Sequence, residues 1–127
     1  MKVLALDYGS ARTGVAVSDP TGTLARPLCV IEQAGTEPGL ARLRELVREE
    51  AAERVVVGLP LTLRGTHGDQ ARETERFVEG LRAAVDVPVE TFDERFTTKL
   101  AGGGSDDDAR AAAHLLSSYL EWAGGLR

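Results

Sequence analysis

The chain changes its hydrophobic period partway along. Val3-Leu4-Ala5-Leu6 is a short apolar run that ends at Asp7, and Tyr8 to Gly14 carries turn residues. Val15-Ala16-Val17-Ser18 is a second run, so the two predict a hairpin. Asp19-Pro20-Thr21-Gly22 reads as another turn. Leu24 to Ile31 reads as a third strand, in which Pro27 favours a sheet edge. Helical spacing then sets in: Leu40, Leu43 and Val47 share one face, and Arg44, Glu45, Arg48 and Glu49 the other. Arg54–Leu59 contains Val55-Val56-Val57, a continuous run expected of a central strand buried on both sides. Gly58-Leu59-Pro60 breaks it, and a polar loop leads to Asp69. A second helix carries Ala71, Thr74, Phe77, Val78, Leu81 and Val85 on one side, and Val87–Phe92 reads as a fifth strand. The last helix runs from about Asp106 to Trp122, with Ala112, Leu115, Leu116, Tyr119 and Leu120 facing inward. This order, β-β-β-α-β-α-β-α, predicts an α/β fold. Its five-stranded mixed sheet has three antiparallel strands, then alternating helix and strand, with helices on both faces.

Composition narrows the picture. A length of 127 residues suits one domain over 1–127. With few aromatics, the core is expected to consist of Val, Leu and Ala. No apolar run approaches the ~20 residues that cross a bilayer, and Asp7 arrives too early for a signal peptide. Cys29 is the single cysteine, which excludes an internal disulfide and CxxC zinc sites. The expectation is a cytoplasmic protein with no membrane partner. The net charge of −5 runs against phosphate binding by excess Lys and Arg. A carboxylate cluster that holds cations inverts the local field, however, and basic residues then need only ring the cleft.

Three acidic positions stand out. Asp7 ends the first strand, where a carboxylate is out of place in an apolar run. Glu94 follows the fifth strand. Asp108 lies in the first turn of the last helix, four and seven residues before the core-facing Ala112 and Leu115, so it should point toward the sheet. If the first and fifth strands lie close together with the last helix across them, the three converge. Crowded carboxylates need a counter-charge, and Mg²⁺ or Mn²⁺ prefers oxygen ligands. Two such ions roughly 4 Å apart suit phosphodiester hydrolysis without a His or Ser nucleophile. Each residue also has a structural reading: Asp7 as an Asx-turn residue, Glu94 as a surface partner of Arg95, Asp108 as a helix cap.

Other residues carry less. Cys29 reads as core filler, His114 as a surface or packing residue, His67 as a weak phosphate contact, and Trp122 as packing for the helix end. Leu61, Leu63 and Trp122 are exposed apolar candidates without a defined interface. Gly9 and Gly14 give GxxxxG spacing, but the following Lys-Ser/Thr is missing and the segment joins two strands, so it is not a phosphate loop.

These residues resemble the YqgF (RuvX-like) family over nearly the whole chain. Leu6-Asp7-Tyr8-Gly9 with Arg12, Gly14 and Val15 to Asp19 is similar to its opening motif; Val57-Gly58-Leu59-Pro60-Leu61 with Gly65 to its second; Asp93-Glu94-Arg95 with Thr97-Thr98 to its third; and Asp108, Ala111-Ala112, Leu115-Leu116 and Tyr119-Leu120 to its closing helix. The resemblance implies an RNase H-like fold and a metal-dependent nuclease, with Asp7, Glu94 and Asp108 as catalytic metal ligands. It implies trimming of the 5′ end of pre-16S rRNA or, by similarity to the resolvase RuvC, action on Holliday junctions. One departure is the short stretch Lys99 to Asp107 with Gly102-Gly103-Gly104, where similar sequences carry a helix. It leaves open whether Asp106 or Asp107 shares the role of Asp108.

The expected protein is therefore a Mg²⁺- or Mn²⁺-dependent endonuclease on structured RNA or branched DNA, as monomer or homodimer. Asp7 would bridge two ions, and Arg12, Arg95, Arg64 and Lys99 would contact phosphate. Junction resolution requires a two-fold dimer for its paired cuts. A non-catalytic RNA-binding ribosome-assembly factor is the alternative of another class. An actin-like or sugar-kinase ATPase shares an aspartate before a glycine hairpin, but it needs two such domains.

Overall fold

The computed structural model describes residues 1–60, 68–94 and 107–125. Its elements are β1 (Val3–Asp7), β2 (Arg12–Ser18), β3 (Ala25–Glu32), α1 (Glu37–Glu49), β4 (Arg54–Leu59), α2 (Asp69–Ala84), β5 (Val89–Asp93) and α3 (Asp107–Gly125). They form one five-stranded sheet in the order β3-β2-β1-β4-β5. β1 pairs antiparallel with β2 and parallel with β4. β2 pairs antiparallel with β3, and β4 parallel with β5. Pro27 thus sits on an edge strand, where its missing N–H is tolerated.

Two hydrophobic layers flank the sheet. Leu4, Leu6, Val15, Val17, Val55 and Val57 pack against Leu43 and Leu46 of α1 and Phe77, Val78 and Leu81 of α2. Val3, Ala5, Ala16, Val56 and Phe92 pack against Ala112, Leu115, Leu116 and Tyr119 of α3. Residues of opposite parity go to opposite layers, as the pleat demands, so Val55-Val56-Val57 is buried on both faces. Cys29 packs beside the first layer, and burial raises its thiol pKa. α1 starts where Thr36 Oγ1 accepts from the Gly39 amide at 3.3 Å and Pro38 presets the first turn. The turn after β2 is tied by the Asp19 carboxylate, which accepts from the Thr23 and Leu24 amides at 2.8 and 2.9 Å. No helix of the described residues is long and apolar enough to cross a membrane.

Two local features bear on the site, and the first differs from the sequence expectation. β2 begins at Arg12 rather than Val15, because Arg12, Thr13 and Gly14 are paired with Glu32, Ile31 and Val30 of β3. Gly14 is therefore a strand residue, opposite Asp7. The first and fifth strands lie close together with β4 alone between them, pairing parallel to both.

Candidate active site

Asp7 shares the face of Val3 and Ala5 by strand alternation, and so it lies on the α3 side of the sheet. It closes β1 at the carboxyl end of the three parallel strands β1, β4 and β5, where open α/β sheets place their ligands. One row of the sheet decides what surrounds it. Asp7 is paired with Gly14 on β2. On the other side β1 and β4 run in register from Val3↔Arg54 to Leu6↔Val57, so the next residue beside Asp7 is Gly58. Gly58 in turn pairs with Phe92. Asp7 is thus flanked on both sides by residues without a side chain.

Each glycine admits a different group. A methyl placed on Gly14 would lie 1.8 Å from the Asp108 carbonyl oxygen, so the first turn of α3 rests directly on the β2 backbone. A methyl placed on Gly58 would lie 2.7 Å from Glu94 Oε1 and 3.0 Å from its Cγ. The Glu94 side chain therefore lies over β4. α3 comes in from one flank of Asp7 and Glu94 from the other. All three carboxylate residues are half-buried.

The hairpin between β1 and β2 brings Arg12 to the same place. Its Nε lies 3.2 Å from Asp108 Oδ2 in an ion pair between half-exposed side chains. Asp108 Oδ2 is itself sealed from solvent and has no hydrogen-bond partner among the described residues. On the opposite face, Tyr8 stacks on Phe77 with ring centroids 4.3 Å apart, anchoring the chain just after Asp7.

The RuvX family, described as Holliday junction resolvase, matches residues 1–122. The chain belongs to this family. Relatives within it include a Chloroflexus aggregans protein, 48% identical over 131 residues that cover 94% of this chain and 92% of the relative. A Rubrobacter xylanophilus protein is 47% identical over 135 residues, covering 98% and 95%. Both carry the name "Putative pre-16S rRNA nuclease". Among solved structures, T. thermophilus RuvC in complex with Holliday junction substrate matches with a TM-score of 0.63 at 20% identity, over 98% of this chain and 96% of that one. The fowlpox virus Holliday junction resolvase matches with 0.51 at 16%, over 96% and 99%. The RuvX chain accordingly has the RNase H-like fold that its element order suggests.

The sequence candidates fare unequally in this RuvX structure. Asp7, Glu94 and Asp108 are brought to one end of the α3 face, and Arg12 joins them. Arg95, Arg64, Lys99, Asp106, His67, Leu61 and Leu63 lie outside the described residues. His114 is half-buried on α3, and Trp122 is half-exposed while packing on Phe92 and Tyr119. The donor chemistry fits a hard divalent cation: the donors are carboxylate oxygens, and one of them, Asp108 Oδ2, is buried, without a hydrogen-bond partner among the described residues, and already faces a cationic group, the Arg12 guanidinium. The described residues do not, however, gather three acidic, His or Cys groups closely enough to form a ready-made cation cage. Sequence reasoning missed the parts played by Gly14 and Gly58. The available signal was their parity: both fall on Asp7's own face, where a core strand should carry a side chain.

Proposed function

We propose that this RuvX chain is a divalent-metal-dependent endonuclease that acts in the cytoplasm on structured nucleic acid and processes the 5′ end of pre-16S rRNA. The observation that carries the reading is the glycine-flanked Asp7, with Asp108 and Glu94 approaching over the two bare positions. Asp7, Glu94 and Asp108 are the residues that would hold Mg²⁺ or Mn²⁺. When bound, such ions lower the pKa of an attacking water and stabilise the departing oxygen of a phosphodiester.

The chain's own residues do the rest. Asp7, fixed in the sheet by its strand pairing, gives the site a rigid floor. Glu94 and Asp108 supply flanking carboxylates from a strand end and a helix start. Arg12 neutralises Asp108, and its half-exposed guanidinium also stands at the lip where a phosphate would arrive. In this reading Arg95, Arg64 and Lys99 add further phosphate contacts. The names carried by the relatives support RNA as substrate.

A second reading is favoured by the family's description and by the likeness to RuvC: resolution of four-way DNA junctions by a two-fold dimer. One assay separates the two. Purified protein is given Mn²⁺ or Mg²⁺ with precursor 16S rRNA and a synthetic four-way junction side by side, with Asp7→Asn as control. Metal-dependent cutting of the RNA, reduced by on the order of 10³-fold in Asp7→Asn through loss of several kcal/mol of charge stabilisation, is the expected result. Paired cuts in the junction alone would favour the resolvase. A folded wild-type protein that cuts neither would point to a non-catalytic RNA-binding role.

A further inference from the structure

Gly58 has no conformational reason to be glycine. Gly22 is the glycine with a positive φ among the described residues, and Gly58 sits inside β4 with ordinary strand geometry. On the α3 side β4 presents Arg54, then Val56, then this bare position. Glycine inside a strand forgoes packing and weakens the strand. Its role must therefore lie in the space it leaves, and the Glu94 arm occupies that space: Oε1 lies 2.7 Å, and Cγ 3.0 Å, from where a Cβ would be.

We propose that Gly58 is a positioning residue, the seat that keeps the Glu94 carboxylate beside Asp7. The inference rests on the reading of Glu94 as a metal ligand. Gly14 provides the contrast. There an added methyl meets backbone at 1.8 Å, and the helix itself must move. At Gly58 it meets the flexible Glu94 side chain at both its carboxylate oxygen and its Cγ, together with Leu115 Cδ2 at 3.1 Å, which must yield by a few tenths of an ångström. Gly58→Ala should therefore leave the fold standing while turning Glu94 away from the site. A residue that merely packed the sheet would show the opposite balance.

The test is Mn²⁺ binding to the full chain by titration calorimetry, with thermal unfolding measured on the same samples. Gly58→Ala should lower Mn²⁺ affinity by about 10- to 100-fold, the range for groups that orient a ligand, with a nearly unchanged unfolding midpoint. Glu94→Asp withdraws the arm by one methylene, so adding Gly58→Ala to it should cost no further affinity, a departure from additivity that reports direct coupling. Wild-type affinity in Gly58→Ala, or an equal further loss in the Glu94→Asp background, would overturn the proposal. If Gly58→Ala alone fails to fold, Gly58→Ala/Leu115→Val relieves the other contact, and the same comparison is made against Leu115→Val. Glu94→Gln separates the two layers of the inference. Undiminished Mn²⁺ binding there removes Glu94 as a ligand, whereas loss there with wild-type binding in Gly58→Ala removes only the seat.

Discussion

The two ends of α3 meet the same face of the same sheet and fill the space beneath them in opposite ways. Toward the C-terminal end of α3, Arg54 Nη1 donates to Glu90 Oε1 at 3.1 Å and to the Tyr119 hydroxyl at 3.0 Å, and that hydroxyl donates to Glu90. Phe92 and Trp122 pack on the Tyr119 ring of this triad, with centroids 5.7 and 6.0 Å from it. Opposite charges are matched there and large rings fill the space. At the N-terminal end, Asp108 and Glu94 flank Asp7 across Gly14 and Gly58, Arg12 pairs with Asp108, and glycines stand where rings could have been. Each end keeps one buried polar atom without a hydrogen-bond partner among the described residues, Arg54 Nε and Asp108 Oδ2. The donor belongs to a guanidinium whose Nη1 is held by Glu90 and Tyr119; the acceptor belongs to a carboxylate at the rim of the proposed site. One end is built to close the layer and the other to stay open, the usual division between a stabilising and a functional region.

The sharpest way to break that contrast is at the helix start. Gly14→Ala drives a methyl into the Asp108 backbone, and neither partner is a flexible side chain. The first turn of α3 has to lift from the sheet, with an expected loss of about 3 kcal/mol or more, at the upper end of overpacking costs. Urea unfolding gives the number. A loss below about 1 kcal/mol would mean that α3 is not anchored there and that Asp108 owes its place to something else.

The closed end should respond the other way, in stability alone. Tyr119 is 3% exposed, and Tyr119→Phe strips the triad of its shared hydroxyl. A loss of about 1–2 kcal/mol is expected, with nucleic-acid cleavage unchanged. The pH dependence sharpens the test. Burial, and then the hydrogen bond to Glu90, raise the Tyr119 pKa above 10.0, while Arg54 lowers it. Near and above pH 10 the unfolded chain releases this proton first, so it binds fewer protons than the native state and stability falls as pH rises. Below pH 10 that contribution is present in full. Tyr119→Phe should flatten the alkaline limb; an equally steep limb would assign it to other groups.

How much of this was legible in the sequence differs between the two ends. β4 was placed at Arg54–Leu59 because three consecutive valines leave a central strand as the economical reading. β5 starts at Val89 rather than Val87, since Pro88 has no N–H for the ladder and gives its carbonyl to the Val55 amide instead. Asp7 was visible as a carboxylate in an apolar run. Gly14 and Gly58 were legible as site elements only through their parity with Asp7, because beside Arg12-Thr13 and Leu59-Pro60 a glycine carries the same local signal as a turn. Their meaning lies in what crosses over them, α3 and Glu94, and those contacts span long stretches of chain. For the same reason the sequence could not tell that β4 separates the first and fifth strands, so that Glu94 approaches Asp7 across Gly58.

The smallest expected effect concerns Arg12, which belongs to the open end and yet is paired. If its ion pair with Asp108 stands in for a cation, the two compete for one carboxylate, and Arg12→Gln should tighten Mn²⁺ binding. The pair is half-exposed, 48% and 30% for the two side chains. Contacts of that kind are worth about 0.2–1 kcal/mol, so the gain should be at most about 5-fold and should shrink as salt screens the pair. The same variant should bind nucleic acid more weakly, because a guanidinium at the lip has been lost. Titration calorimetry with Mn²⁺ and a KM measurement on the cleaved substrate read the two effects separately. Weaker Mn²⁺ binding in Arg12→Gln would instead mean that Arg12 holds Asp108 in a ligating pose, and the pair would then organise the open end rather than compete for it.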